Sequence, residues 1–437
     1  MQTDAYPYSC AAPVVAQADV VVVGGGPGGL GAAVMAARQG ARTLLVERYG
    51  FPGGMAVSGE VHPFMPNHVN GQSLDRPVYT DWIARMHAYL PPAVRAAKPL
   101  TGVSGETYER LISKDQAMLA AEDLCLEAGV ELLYHHALVD VVRDGRKVRA
   151  GIFHSKSGLV AIEAKVFIDA TGDADLAARA GCRTEIGGPT GHGQPMTLCF
   201  KLGHVDVARM PPRSEINEKY AAAVARGEID CPRENVLFFP WLEGDVVHFN
   251  TTRVIKHSAV DGRELSDAEI LGRRQLRQFL AFLRREIPGF EQATLFSIAH
   301  HIGVRESRRV VGRVMLRREA FTRRAKCDDA IARVRYTIDI HNPDGRGTEI
   351  ESLPEGEWYE IPYGCIVPAD ADNLLVAGRP ISVDHAIHSS MRVMPPAISI
   401  GQAAGVAAAM AVKGDCGPGD LDGCQVREAL RAAGADL

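Results

Sequence analysis

Asp19-Val20-Val21-Val22-Val23-Gly24-Gly25-Gly26-Pro27-Gly28-Gly29-Leu30 is the stretch whose reading decides the fold. Its valine run reads as a strand buried on both faces of a parallel sheet. Gly24, Gly26 and Gly29 then satisfy GxGxxG, and Leu30–Gln39 is an apolar, alanine-rich helix that Gly40 stops. Thr43–Glu47 reads as the next strand and completes a βαβ unit. In such a unit the glycines give a tight turn, close backbone approach to a pyrophosphate at the helix N-terminus, and close helix–strand packing. Glu47 stands 23 residues after Gly24, where an acid accepts both ribose hydroxyls. It would repel a 2′-phosphate, so the unit predicts FAD or NAD rather than NADP. A glycine-rich turn in an unrelated α/β unit is the alternative, and the strand, helix and acid together weigh against it.

The whole chain has 437 residues, two or three times a typical domain of roughly 100–200. Its composition, 46% hydrophobic and 23% charged, is that of a globular protein, and a net charge of −5 gives no reason to expect a polyanion partner. Nine cysteines without a CxxC pair match no zinc spacing and disfavour dithiol chemistry. An odd cysteine count, with Arg38 as the first basic residue, predicts reduced thiols, no leader peptide and a cytoplasmic location. Val20–Ala37 and Ala397–Val412 imitate membrane spans. Glycines and Pro27 would break the first, while Gln402 and two glycines suit the second to a buried helix, so no span is expected. Arg305–Arg335 holds eleven basic residues against four acidic ones. The arginines come in pairs without aromatic interleaving, which reads as a solvated helix face and not as a nucleic-acid surface.

Outside the first unit, residues 1–17 read as a loose arm and Ser113–Ala128 as a helix stopped by Gly129. Val130–Tyr134, Leu138–Arg143, Val148–His154, Leu159–Ala164 and Val166–Ala170 read as strands. A helix around Asp267–Glu286 ends at Pro288-Gly289, Asn373–Ala377 restores the parallel-strand pattern, and Pro395/Pro396 open a last long helix.

Six further segments carry a resemblance. Phe51-Pro52-Gly53-Gly54-Met55-Ala56 is similar to the stretch that runs along the flavin ring in glutathione-reductase-like flavoproteins. Ala170-Thr171-Gly172-Asp173 resembles the strand end that closes over FAD in that family, and Leu374–Arg379, with Gly378 and Arg379, resembles its last FAD strand. The helix after Pro395, carrying Gly401 and Gln402, would point its positive end at the flavin pyrimidine. Gly303–Arg309 together with His385–Arg392 resembles the FAD-dependent oxidoreductases related to fumarate reductase flavoproteins, some of them labelled xanthan lyase-like. The resemblance implies FAD as the cofactor, touched by Gly24, Gly26, Pro27, Gly28, Gly29, Glu47, Arg48, Gly53, Gly54, Met55, Ala56, Val139, Ala170, Thr171, Gly172, Asp173, Gly378, Arg379, Gly401 and Gln402. Gly378-Arg379 departs from the Gly-Asp of aromatic hydroxylases, and no second GxGxxG marks a dedicated nicotinamide domain. Both departures disfavour a hydroxylase.

The expected architecture is α/β: a Rossmann-like FAD domain, parallel sheet plus β-meander, built from residues 16–60, 112–186 and 361–425. A mixed α+β substrate domain is expected from residues 61–111 and 187–360, with terminal extensions at 1–15 and 426–437. Flavin chemistry needs a proton-handling group and charge to hold substrate. His385 and His388 are the candidate bases, and each has a structural alternative as a cofactor contact or cap. Arg305 and Arg392 are the candidate clamp for a carboxylate, with ion pairing, for instance to Glu306, as the alternative. His62 follows the flavin-side glycines and is a pocket candidate, whereas His68, His300 and His301 read as loop or packing residues, and no metal site is expected. Gly187–Gly191 reads as a crossover loop near the active site. The function expected is a dehydrogenase or oxidase passing hydride from CH–OH, CH–NH or CH–CH of a small substrate to flavin N5. Oxygen, a quinone or a partner protein would be the electron acceptor. Alkene reduction and a non-redox flavin-containing lyase are the alternatives.

Overall fold

The computed structural model describes residues 6–97, 113–241 and 244–437. Strands Glu131–Leu133, Thr43–Val46, Val14–Val23 and Gly158–Asp169 lie side by side in parallel, and helix Pro27–Arg38 makes the first crossover. Residues 14–17, expected in a loose arm, extend the first strand. They pair with Ala161–Glu163, and Gln17 Nε2 donates to Glu163 Oε2 at 2.6 Å. Leu159–Ala164 and Val166–Ala170, expected as two strands, form one, Gly158–Asp169. Its first half pairs antiparallel with Lys147–Ser155, and its last three residues pair parallel with Leu374–Val376. Lys165 stands at the change of partner, its side chain 64% exposed and paired with Asp19 at 2.9 Å, so the polar residue ends no strand. Strand Ala137–Asp144 completes the meander.

A second, antiparallel sheet orders Phe238–Pro240, Val247–Phe249, Phe200–Gly203 and Thr294–Ile298. Helix Gly262–Glu286 belongs to the same core through Phe279, Phe282 and Leu283. It starts five residues before the expected Asp267, because the Asp261 carboxylate caps the backbone N–H groups of Arg263 and Glu264. The second core runs only from Met196 to Val304. Trp82 and Met86 from helix Val78–Ala88, and Val310, Ile331 and Tyr359, pack into the first core instead. Residues 64–90 and 310–360, which the sequence boundaries set with the substrate domain, therefore pack with the parallel sheet. The arginine-rich stretch is mostly strand and loop, helical only over Arg318–Arg323. Its arginines meet acids: Arg308 with Asp175, Arg318 with Glu349 and Glu351, and Arg333 with Asp436.

Helix Met394–Lys413 is long and apolar enough to cross a membrane, and 89% of its apolar window is buried inside this protein. It packs on helix Pro27–Arg38 with backbone against backbone. A Cβ on Gly31 would sit 2.3 Å from the Ile398 carbonyl oxygen, on Gly401 2.0 Å from that of Gly28, and on Gly405 2.2 Å from that of Ala32.

This contact gives a stability prediction. Gly405→Val forces the helices apart and lowers the melting temperature by several degrees or abolishes folding, since overpacking costs about 1–3 kcal/mol or more. Gly262→Ala, with open space around it, leaves the melting temperature within about 2 °C by circular dichroism.

Candidate active site

A cavity of about 420 Å³ opens at the C-terminal ends of the parallel strands, where Val23, Val46, Ala170 and Ala377 line it. Gly24 has φ +103°, and a Cβ there would sit 2.4 Å from the Ala170 carbonyl oxygen. Gly29 and Gly28 are equally confined, by the Gly24 carbonyl at 1.8 Å and by Gly378 Cα at 2.8 Å. Gly26 differs. A Cβ there would meet only Gly54 Cα at 3.7 Å, an ordinary contact, yet Gly26 lines the cavity. The fold has room for a methyl group at Gly26, so its missing side chain serves whatever lies in the cavity.

Glu47 is buried and reaches the turn. Its Oε2 accepts from the Gly25 N–H at 2.6 Å and its Oε1 from the Tyr49 N–H at 2.9 Å. Burial pushes its carboxyl pKa up, against the pull of those two N–H groups. Each oxygen keeps acceptor capacity for a ribose hydroxyl. On the opposite wall Asp169 shapes the Ala170–Asp173 turn by accepting from the Thr171 N–H and hydroxyl and from the Ala177 N–H. Burial pushes the Asp169 carboxyl up to about 6. Arg379 Nη2 donates to Asp173 Oδ1 at 2.6 Å, and its Nη1 donates to the Val304 carbonyl, which ties the last parallel strand to the second core.

Pro27, Arg48, Gly54, Met55, Thr171 and Gly172, the expected cofactor contacts, also line the cavity. Gly29, Gly53, Ala56, Val139, Gly401 and Gln402 do not. Gly53 supports the lining from behind, its N–H donating to the Gly25 carbonyl at 2.7 Å, and Ala56 is fully buried. Strand alternation turns Leu138 inward and leaves Val139 37% exposed. Gly401 is a helix-packing glycine. Gln402 holds the start of helix Val78–Ala88, accepting from the Val78 N–H at 2.7 Å and donating to the Arg76 carbonyl at 3.1 Å.

The histidines fall elsewhere. His388 is fully buried outside the cavity, and burial with the charges of Arg309 and Arg379 holds it neutral, well below the usual imidazole range. His385 Nδ1 bonds Glu306 Oε1 at 2.9 Å, and its ring faces a separate surface depression walled by Gly187 and Gly188. Helix His385–Met391, capped by Asp384, turns both rings away, and the chain reaches the cavity just beyond it, at Arg392, Val393 and Met394. His62 is buried against Trp241, and His301, taken for packing, does line the cavity. The Gly187–Gly191 loop borders the depression and not the main cavity.

Arg305 and Arg392 do meet in the cavity. Arg305 Nη1 donates to the Pro195 carbonyl at 2.7 Å and to Thr197 Oγ1 at 2.5 Å. Burial and the neighbouring charges of Arg392 and Arg233 push its pKa down to about 9. The sequence reading missed Arg233, Tyr336, Asp339 and His341, which line the same chamber. Asp339 and His341 sit two apart on strand Ile338–His341, a period-two polar pair that could have marked a shared face. Arg233 lies in an irregular segment with no pattern to betray it.

Fold and lining together define an FAD-dependent oxidoreductase, and the glycine turn, Glu47 and the Ala170–Asp173 strand end are the groups available to hold the dinucleotide. The family described as FAD dependent oxidoreductase matches residues 19–430, and the chain belongs to it. The digeranylgeranylglycerophospholipid reductase of Thermoplasma volcanium is 27% identical over 183 residues, 38% of this chain and 43% of that one. The Thermoplasma acidophilum enzyme of the same name is 26% identical over 170 residues, with the same shares. The chain thus spans less than half the length of these curated relatives. Among solved structures, a geranylgeranyl bacteriochlorophyll reductase-like protein from Thermoplasma acidophilum aligns with a TM-score of 0.43 and 13% identity, over 96% of this chain and 83% of that one. A flavin-dependent brominase aligns with a TM-score of 0.47 and 15% identity, over 95% and 83%.

The Gly26 geometry separates binding from folding. Gly26→Ala should fold with an unchanged melting curve in the flavin-free form and bind FAD at least about tenfold more weakly, measured by fluorescence titration. Full flavin occupancy in that variant would remove the cradle assignment.

Proposed function

We propose that the protein moves hydride between FAD and a small organic acid, with Arg233, Arg305 and Arg392 binding the acid's anionic group. One observation carries the reading. Arg233, Arg305 and Arg392 line the cavity with Asp339 beside them, and Arg233 Nη1 and Arg392 Nε are buried without a hydrogen-bond partner. A buried guanidinium N–H left without an acceptor is costly, so an anion completes the site and gains charge-assisted contacts. Leu237, Phe239 and Phe64 offer an apolar wall for the body of the acid. Bound FAD would supply the redox chemistry, accepting or returning hydride at its flavin ring. The protein's own part is to hold the anion, orient the reacting carbon and exclude water.

The first reading of direction is oxidation at a CH–OH, CH–NH or CH–CH group, with oxygen, a quinone or a partner protein taking the electrons. The second is reduction of an activated alkene. Arg305 favours it, because a guanidinium whose pKa is pushed down to about 9 gives up a proton more readily than an ordinary one.

Anaerobic bleaching of the FAD-loaded protein by a panel of organic acids and their methyl esters tests the anion requirement. Acids should bleach the flavin and esters should not. Arg305→Gln and Arg392→Gln should each raise the half-saturating concentration by about 10- to 100-fold, the worth of a charged hydrogen bond. Equal bleaching by esters overturns the reading. Reoxidation of the photoreduced protein by unsaturated acids, and not by their saturated counterparts, selects the reductive direction.

A further inference from the structure

Strand Ile338–His341 presents Asp339 and His341 to the cavity. His341 Nδ1 accepts from Arg253 Nη2 at 3.0 Å and faces Thr348 Oγ1 at 3.3 Å. An accepting Nδ1 assigns the proton of the neutral ring to Nε2, which lies 3.5 Å from Asp339 Oδ2. The Tyr336 hydroxyl donates to Asp339 Oδ2 at 3.4 Å, and Arg392 Nη2 lies 3.6 Å from the same atom. Ser389 Oγ accepts from the Asp339 N–H, and Gln194 Oε1 from the His341 N–H. Arg305 and Arg233 face the pair across the chamber, and Glu234 offsets Arg253 from behind at 3.1 Å. Contacts of 3.4–3.6 Å around Asp339 Oδ2 are looser than closed charge-assisted bonds, so the pair is not locked as an ion pair.

We propose that Asp339 and His341 form the proton-handling pair of this site, and that the bound substrate's negative charge sets how tightly the pair holds a proton. The proposal rests on the reading of the chamber as an organic-anion site. In the free protein the surroundings favour the deprotonated form of both groups. Burial and the charges of Arg305 and Arg392 push the His341 imidazole down to about 3. Burial pushes the Asp339 carboxyl the other way, but the His341 hydrogen bond and the Arg392 charge outweigh it and hold Asp339 ionised. An anion on Arg305 and Arg392 cancels part of that positive field. A nearby negative charge raises the proton affinity of a carboxylate and of an imidazole alike. Anion binding is therefore linked to proton uptake by the pair, titrating as one unit. A unit charge about 6 Å away, at an effective dielectric constant of about 20, moves the midpoint by about two pH units. That shift carries the pair from the acid range toward the range where a group exchanges protons during turnover. His385 and His388 have no such access to the chamber.

The test is an NMR pH titration, from about pH 4 to about pH 7, of FAD-loaded protein carrying isotope-labelled histidine. It is run alone, with malonate, and with neutral malonamide. His341 is assigned by loss of its resonance in His341→Asn or, should that variant not fold, in His341→Gln. Alone, the His341 ring should stay neutral through the range. Saturating malonate should raise its midpoint by about two units into the range, and malonamide should not. Arg392→Gln should raise the midpoint in the same direction with no ligand present. Malonate that binds without moving the midpoint, together with an unmoved midpoint in Arg392→Gln, overturns the tuning while the anion site stands. Malonate that perturbs no resonance overturns the organic-anion reading, and the Arg392→Gln arm then decides the tuning alone.

Discussion

Gly28 lies against Gly378, and Gly401 lies against the Gly28 carbonyl, because helix Pro27–Arg38 touches the last parallel strand end and helix Met394–Lys413 with no side chain between them. The turn Gly24–Gly29 is pressed in the same way on Ala170. Segments more than 100 residues apart are thus held at one point by backbone contact, and that point is the wall of the cavity. A side chain anywhere in the contact would open the wall before it reached a ligand. Gly26 is the exception: the packing leaves it free and the cavity claims it.

The second core completes the site by bringing charge to it. Glu60 is fully buried and receives Lys201 Nζ at 2.6 Å, Lys114 Nζ at 2.9 Å and Ser297 Oγ at 3.0 Å. Lys201 and Ser297 belong to the second sheet, so this cluster ties the cavity-lining segment around Ser58–Met65 to it. Breaking such a buried cluster by removing one partner is strongly destabilising, because it strands a charge. Arg379, bonded to Asp173 and to the Val304 carbonyl, makes a second tie. Together they bring Arg233 and Arg305 into the chamber that Tyr336, Asp339, His341 and Arg392 line from the other side.

The parallel sheet, the glycine turn, Glu47, the Ala170–Asp173 strand end and the buried helix Met394–Lys413 were legible in the sequence, because each is a local pattern imposed by local geometry. Arg305 and Arg392 were legible as charges, though not their meeting. The proton-handling residues were not. His385 and His388 follow the last cofactor strand closely, but a helix of seven residues rotates both rings away, and no periodicity in so short a stretch reveals which face is inward. Arg233 lies more than 100 residues before the strand that carries Asp339 and His341, and only the docking of the two cores brings them together. Val139 and Gln402 fell one side-chain direction away from the cavity. Proximity in the chain to a cofactor segment gives the neighbourhood of a residue and not the direction of its side chain.

A difference spectrum of the FAD-loaded protein, titrated with malonate and in parallel with malonamide, tests most directly that one cavity holds flavin beside a built anion site. The account predicts a saturable shift of the visible flavin bands with malonate alone, lost in Arg305→Gln. An equal shift with malonamide, or a malonate response undiminished in Arg305→Gln, would contradict it.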